Sequence, residues 1–142
     1  MMSDCSSIGT LTNVEARETM TARIKAALLD SSGFSTIEVI WPNQKPPGLE
    51  GREDPFLLLT VVDVDREHME MGFQGYISTK FLDISLWIRE YTGIKLVDEF
   101  KDFVDPLGLT VTSGIDYGPV NPMKSLKHEG WEVHPMALPF RF

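Results

Sequence analysis

The sequence is poor in cysteine, poor in positive charge and free of long apolar runs, and each shortage excludes something. Its single cysteine, Cys5, cannot close an internal disulfide and sits in a polar leader, so a reducing compartment is expected. No apolar stretch approaches the ~20 residues that cross a bilayer, and the N-terminus has no signal-type apolar region. The expectation is a chain that stays soluble in the cytoplasm where it is made. Lysine and arginine total 13 against 21 aspartates and glutamates, a formal charge of -8. Nucleic-acid-binding domains need clustered cations to displace counterions from phosphates, so this charge argues against that class. It is compatible with a protein that stands near nucleic acid and must not adhere to it.

Motifs of catalysis are missing too. There is no Gly-x-Ser-x-Gly elbow for a serine nucleophile. His68, His128 and His134 are scattered, with no His-x-x-x-His or cysteine pair to gather a metal, and they read as surface histidines. Gly72 and Gly75 do not open a helix, so they make no phosphate cradle. Asp63, Asp65, Glu67 and Glu70 invite comparison with a calcium loop. That loop requires a glycine at its sixth position and a glutamate at its twelfth, and neither falls correctly from Asp63. No metal, cofactor or enzymatic activity is expected.

What is present is a clear architecture. The length of 142 residues fits one domain, 1–142, able to bury roughly 68–70% of its extended surface. Residues 1–11 show no period and read as a flexible leader. Thr12 and Glu15 form a capping-box pattern, and the helix it opens, Asn13 to Leu29, sets Met20, Ile24 and Leu28 on one stripe before Gly33. A strand from Thr36 to Trp41 stops at Pro42. The segment from Pro42 to Pro55, with Pro46, Pro47, Gly48 and Gly51, reads as an extended arch. Phe56 to Val64 is apolar enough for a central strand covered on both faces.

The acidic stretch Asp63 to Gln74 then forms the tip of a long hairpin whose return strand runs from Gly75 to Arg89. That strand holds the clearest period in the chain: Leu82, Ile84, Leu86 and Ile88 share one parity, and Asp83, Ser85, Trp87 and Arg89 the other. Continuous, it would reach roughly 50 Å, too long for a small domain, so an arm or a bulge near Gly75 is expected. Thr92 is an N-cap candidate for a second helix ending near Val104, with Leu96, Phe100 and Phe103 on one face. Leu109 to Thr112 is a short strand, Ser113 to Lys127 reads as loop, and Pro135 and Pro139 confine the last strand, Trp131 to Phe142, to a sheet edge. The fold class is therefore α+β: a mainly antiparallel sheet of four to five strands, two principal helices on one face, and a long hairpin.

Large aromatics are numerous for a domain this small. Trp41, Trp87, Trp131, Phe140 and Phe142 either fill the chain's own core or meet a partner, since aromatics are enriched at interface cores. Trp87 is the leading interface candidate because it lies opposite the apolar parity, beside Arg89. The chain end Phe140-Arg141-Phe142 is the next.

The order of these features resembles the tail terminator and tail-completion proteins of long-tailed bacteriophages. The resemblance rests on a first helix, a strand ending Trp41-Pro42-Asn43, and a proline-rich stretch through Pro46-Pro47 to Asp54-Pro55-Phe56. An apolar strand, a glycine-bounded polar loop and a long strand entering a helix through Tyr91-Thr92-Gly93 complete it, over about residues 14–110. The segment Ser113–Phe142 departs from the family's pattern. The resemblance implies a non-enzymatic virion component assembled in the host cytoplasm as a homohexameric ring. Such a ring caps the tail tube, ends its polymerisation, receives the head-tail connector protein and lets the genome through without specific binding. Asp63, Asp65, Glu67 and Glu70 would then line the channel and repel passing phosphates. Another head-tail connector or head-completion protein, and an α+β enzyme or ligand-binding domain, are the rival readings.

Overall fold

A computed structural model describes residues 11–31, 35–42, 44–63, 67–68, 76–77 and 79–142, with backbone alone at 63, 67, 68, 76, 77 and 79. Helix α1 spans Asn13–Asp30. Its capping box is formed: the Glu15 N–H donates to Thr12 Oγ1 at 3.1 Å, and the Thr12 N–H donates to Glu15 Oε1 at 3.0 Å. The Thr12 bonds hold the Glu15 carboxyl below its ordinary range, the backbone one foremost. Ala16, Met20, Ile24 and Leu28 recur every fourth residue and make the buried stripe. The helix stops at Asp30 with Ser31 as its cap, and Gly33, expected to end it, lies outside the described residues.

Ten strands follow among the described residues: β1 Glu38–Ile40, β2 Phe56–Asp63, β3 Glu67–His68, β4 Tyr76–Ile77, β5 Thr79–Arg89, β6 Thr110–Thr112, β7 Ile115–Tyr117, β8 Asn121–Pro122, β9 Leu126–His128 and β10 Trp131–Arg141. Helix α2, Lys95–Val104, stands between β5 and β6 and runs into a 3-10 turn, Asp105–Leu107. The main sheet has the order β1-β2-β5-β10-β7-β6, and β8 and β9 also pair with β10. The β1–β2 pair is parallel and the rest of the sheet antiparallel. The fold is thus α+β, as the periodicities imply, but with eight strands in its main sheet where four to five were expected.

The difference lies in the last thirty residues. Ser113 to Lys127, read as loop, contains β7, β8 and β9, each two or three residues long and too short to show a period. They exist because β10 offers them a ladder. The last strand is also not at the edge: β10 pairs with β5 along its whole length from Trp131↔Arg89 to Arg141↔Thr79, and with β7, β8 and β9 on its other side. Its prolines are tolerated there for a geometric reason. The Pro135 carbonyl accepts from Met123 N at 3.0 Å and the Pro139 carbonyl from Gly118 N at 2.8 Å. A strand residue's N and C=O point to the same side, so both missing donors face the broken row of short strands and not β5. The β5–β10 ladder loses nothing.

Two further expectations changed. Helix α2 begins at Lys95 behind Ile94, with no side-chain cap, while Thr92 Oγ1 donates to the Arg89 carbonyl at 2.5 Å. Thr92 therefore closes the turn that leaves β5, around Tyr91 at φ 66°, and does not cap the helix. The hairpin continues past Asp63↔Lys80 to Glu67↔Ile77 and His68↔Tyr76, one residue out of step with the β2–β5 register. Gly75, where a bulge was expected, lies outside the described residues.

Both helices pack on one face of the sheet. The principal core joins the α1 stripe and Val97, Phe100, Phe103 and Val104 of α2 to the even parity of β5, Leu57 and Leu59 of β2, and Met136, Leu138 and Phe140 of β10. The opposite face carries a smaller cluster of Ile40, Phe56 and Trp131, against which Leu49, Leu58 and Trp87 pack. Among the described residues no helix is long and apolar enough to cross a membrane.

Candidate functional site

The wall away from the helices is the surface that the long strand sets apart. Pairing Phe56↔Trp87 and Val133↔Trp87 brings three strands' worth of large side chains to one end of it. Phe56 and Trp87 stack at 5.5 Å with an interplanar angle of 16°, and Trp131 meets Phe56 edge-on at 5.7 Å. Cations cover the aromatic group: Arg52 lies 4.8 Å from the Phe56 ring centre and Arg89 5.4 Å from that of Trp131. The His128 ring meets Trp87 edge-on at 5.9 Å. The guanidiniums are held in turn by carboxylates, Arg52 by Glu38 at 2.7 Å and Arg89 by Glu53 at 3.7 Å. The indole N–H groups of Trp87 and Trp131 are buried with no hydrogen-bond partner among the described residues. Phe56 and Trp131 are 2% and 0% exposed and form a small second core, so half-buried Trp87 and the two guanidiniums are what this end of the wall shows to solvent.

Further along the same wall, Ser85 Oγ donates to Asp83 Oδ1 at 3.0 Å. Burial pushes the Asp83 carboxyl above its ordinary range, and the Ser85 bond partly offsets that. A half-buried carboxylate on a sheet face that no helix covers was not expected from the alternation, which marks Asp83 only as outward.

The sequence candidates fare differently. Trp87 and Arg89 do lie together on the outward wall, both half-buried. Phe140 and Phe142 are each 4% exposed and stack on one another at 6.1 Å inside the chain's own core. Their alternation with exposed Arg141, which pairs with Asp116 at 2.8 Å, turns Phe140 of β10 and Phe142 just past its end inward, not toward a neighbour. Asp63 closes β2 and Glu67 lies in β3, whereas Asp65 and Glu70 fall outside the described residues. Sequence reasoning missed Arg52, Glu38 and Phe56, because their meeting with Trp87 requires the strand register. An arginine in a proline-rich arch carries no local signal of that.

Among the described residues, no group of three or more His, Cys, Asp or Glu side chains could hold a metal ion. A depression of about 410 Å³ beside the arch is lined by Glu38, Arg52, Asp54 and Leu96 among others, and its two principal charged groups neutralise each other.

No protein-family model matches the chain, and no curated protein matches it. Six solved chains match it. One of them, whose designation states no activity, superposes with a TM-score of 0.67 over 92% of this chain and 95% of its own, at 11% identity. That likeness carries the α+β architecture and nothing of function.

Proposed function

We propose that the protein is a structural, non-enzymatic component of a long-tailed bacteriophage particle. In this reading it forms a ring that caps the tail tube, ends tube polymerisation and meets the head connector. The observation that carries the proposal is the one-sided placement of the helices. Both α1 and α2 cover the same sheet face, leaving the cation-aromatic group of Arg52, Phe56, Trp87, Arg89 and Trp131 on the other. Such a scaffold is suited to contact by its sheet. The separate two-stranded ladder β3–β4, which pairs outside the main sheet, supports the same reading, because such a ladder is a natural means of touching a neighbour. The order of strand, proline-rich arch, long hairpin and helix that resembles the tail terminators is present in the fold.

In the ring, the carboxylates Asp63, Asp65, Glu67 and Glu70 face the channel and keep the genome from adhering, in keeping with the net charge of -8. The partners are then further copies of the chain, the tube protein below and the connector above, and the location is the virion tail. Electron microscopy of tails assembled with and without the protein tests this. Overlong or headless tails in its absence support the reading; normal virions defeat it. Replacing the four hairpin carboxylates with lysine addresses the lining separately, with DNA retained on assembled rings as the expected result and unchanged retention as the contrary one.

A further inference from the structure

Two further surfaces are complementary to each other, the second bordering the cation-aromatic group through His128. The first is a cleft of about 430 Å³ between the C-terminal end of α1 and the outer side of α2. Phe103 and Leu107 are buried in its lining, while Asp30 and Asp102 are exposed and Glu99 is half-buried. The lining contains no lysine, arginine or histidine. The last turn of α1 carries no basic residue either, so the negative end of its dipole adds to the carboxylates. None of Asp30, Glu99 and Asp102 has an ion-pair partner among the described residues.

The second is the strip Met123–His128 along β8 and β9. Met123 is 55% exposed and Leu126 57%, and Lys124, Lys127 and His128 stand exposed around them. Neither lysine has an ion pair among the described residues, and His128 is 3.8 Å from its neighbour Glu129. Strand β9 is bonded to β10 on one side only. Lysines alone would merely keep such an edge from pairing at random. Two large apolar side chains left in water between them are not explained by that.

We propose that the Met123–His128 strip of one copy seats in the α1/α2 cleft of the next, head to tail. Met123 and Leu126 enter over Phe103 and Leu107, and Lys124 and Lys127 meet Asp30, Glu99 and Asp102. A second copy is the occupant because one chain supplies both halves, with Lys124 and Lys127 on one and Asp30, Glu99 and Asp102 on the other lacking ion-pair partners among the described residues. A chain of net charge -8 repels its own kind on average, so self-association requires a local contact of opposite sign. Two different patches make the contact heterologous, and a heterologous contact repeats into a ring or a filament. It supplies the contact that the proposed ring needs, and for its biological role it rests on that reading.

Sedimentation velocity on the full chain, from micromolar to millimolar concentration and at low and high salt, tests the contact. The wild type should associate, less so at high salt. Lys124→Glu with Lys127→Glu should weaken association at least ~tenfold, and so should Glu99→Lys with Asp102→Lys. Mixing the two variants should restore it, because each contact again joins opposite charges. Circular dichroism of each variant separates loss of contact from loss of fold, and the four-residue swap in one chain, also restoring association, serves if either double variant is unstable. A wild type monomeric across the range, association indifferent to reversal, or a mixture that fails to recover each overturns the proposal. A contact that holds while tails end normally without the protein removes the capping role and leaves the contact. Overlong tails with no charge-dependent association do the reverse.

Discussion

Arg52, in the proline-rich arch, donates to Glu38 of β1 at 2.7 Å while its guanidinium lies over the Phe56 ring of β2. One side chain thus ties the arch to two neighbouring strands. It also donates to the Asp54 carbonyl at 3.1 Å, which shapes the arch's own exit.

Removing that tie should loosen the arch at modest cost. Arg52→Ala is expected to lower stability by about 1–2 kcal/mol, combining an ion pair and a cation-ring contact. Arg52→Lys should recover only part, since an ammonium cannot bond in two directions and stack at once. Urea unfolding midpoints of the two variants would measure this, and equal midpoints would refute it.

The Asp83 carboxyl gives the chain a pH signature with a definite sign. Burial raises its folded-state pKa above the ordinary 3.8, so the folded chain binds more protons than the unfolded one between those values. Stability from this group therefore falls as pH rises through that window, and the loss persists at neutral pH. Asp83→Asn, which keeps an oxygen for Ser85 Oγ, should be more stable than the wild type at neutral pH and match it below 3.8. Thermal melts across pH would show the curves converging in acid; parallel curves would exclude the assignment.

Glu15 acts in the opposite direction, its pKa being lowered by the Thr12 bonds. Its contribution is present above its ordinary 4.5 and fades as pH falls through the folded value. Thr12→Ala, which breaks the reciprocal cap, should cost about 0.5–2 kcal/mol. Amide exchange in the first turn of α1 should quicken, with the rest of the helix unchanged.

The close passage of the chain at Gly108 leaves no room for a side chain. A Cβ there would stand 2.8 Å from Val120 Cγ2 and 2.9 Å from the Gly118 carbonyl oxygen, although φ of -85° suits any residue. Gly108→Ala is expected to destabilise by about 1–3 kcal/mol through overpacking. Gly48→Ala, with nothing within 4 Å of the added atom, is the matched control and should be near neutral. A calorimetric difference between the two variants checks the claim.

Core and wall should separate under truncation. Phe100, fully buried, and Phe142, at 4% exposure, should each lose about 3–5 kcal/mol on change to alanine. If Phe142→Ala unfolded no more readily than the wild type in guanidinium, its place in the core would be wrong.

Much of the fold was legible because its signals are local. The four-residue recurrence of Met20, Ile24 and Leu28 marks one helix face, which the structure extends to Ala16, and the two parities of β5 assign Leu82, Ile84, Leu86 and Ile88 inward before any neighbour is known. Thr12 and Glu15 sit three apart and satisfy each other within one turn. The candidate wall was half legible: alternation marked Trp87 and Arg89, but only the pairing Phe56↔Trp87 showed what they stack with. The proline rule misled at β10 because it concerns where the missing donors point, and that depends on which strands flank them.

What the amino-acid order determined by itself, then, is what a few turns of helix or one strand can settle: the capping box of α1, the helix stripes and the two faces of β5. Tertiary structure alone decided that β10 is central, that Phe140 and Phe142 belong to the core, and that Arg52 meets Phe56 and Glu38. The physical reason is range. Periodicity and capping act over a few residues of chain, whereas the β5–β10 ladder joins residues some forty to sixty positions apart and is specified by summed packing that no single stretch displays.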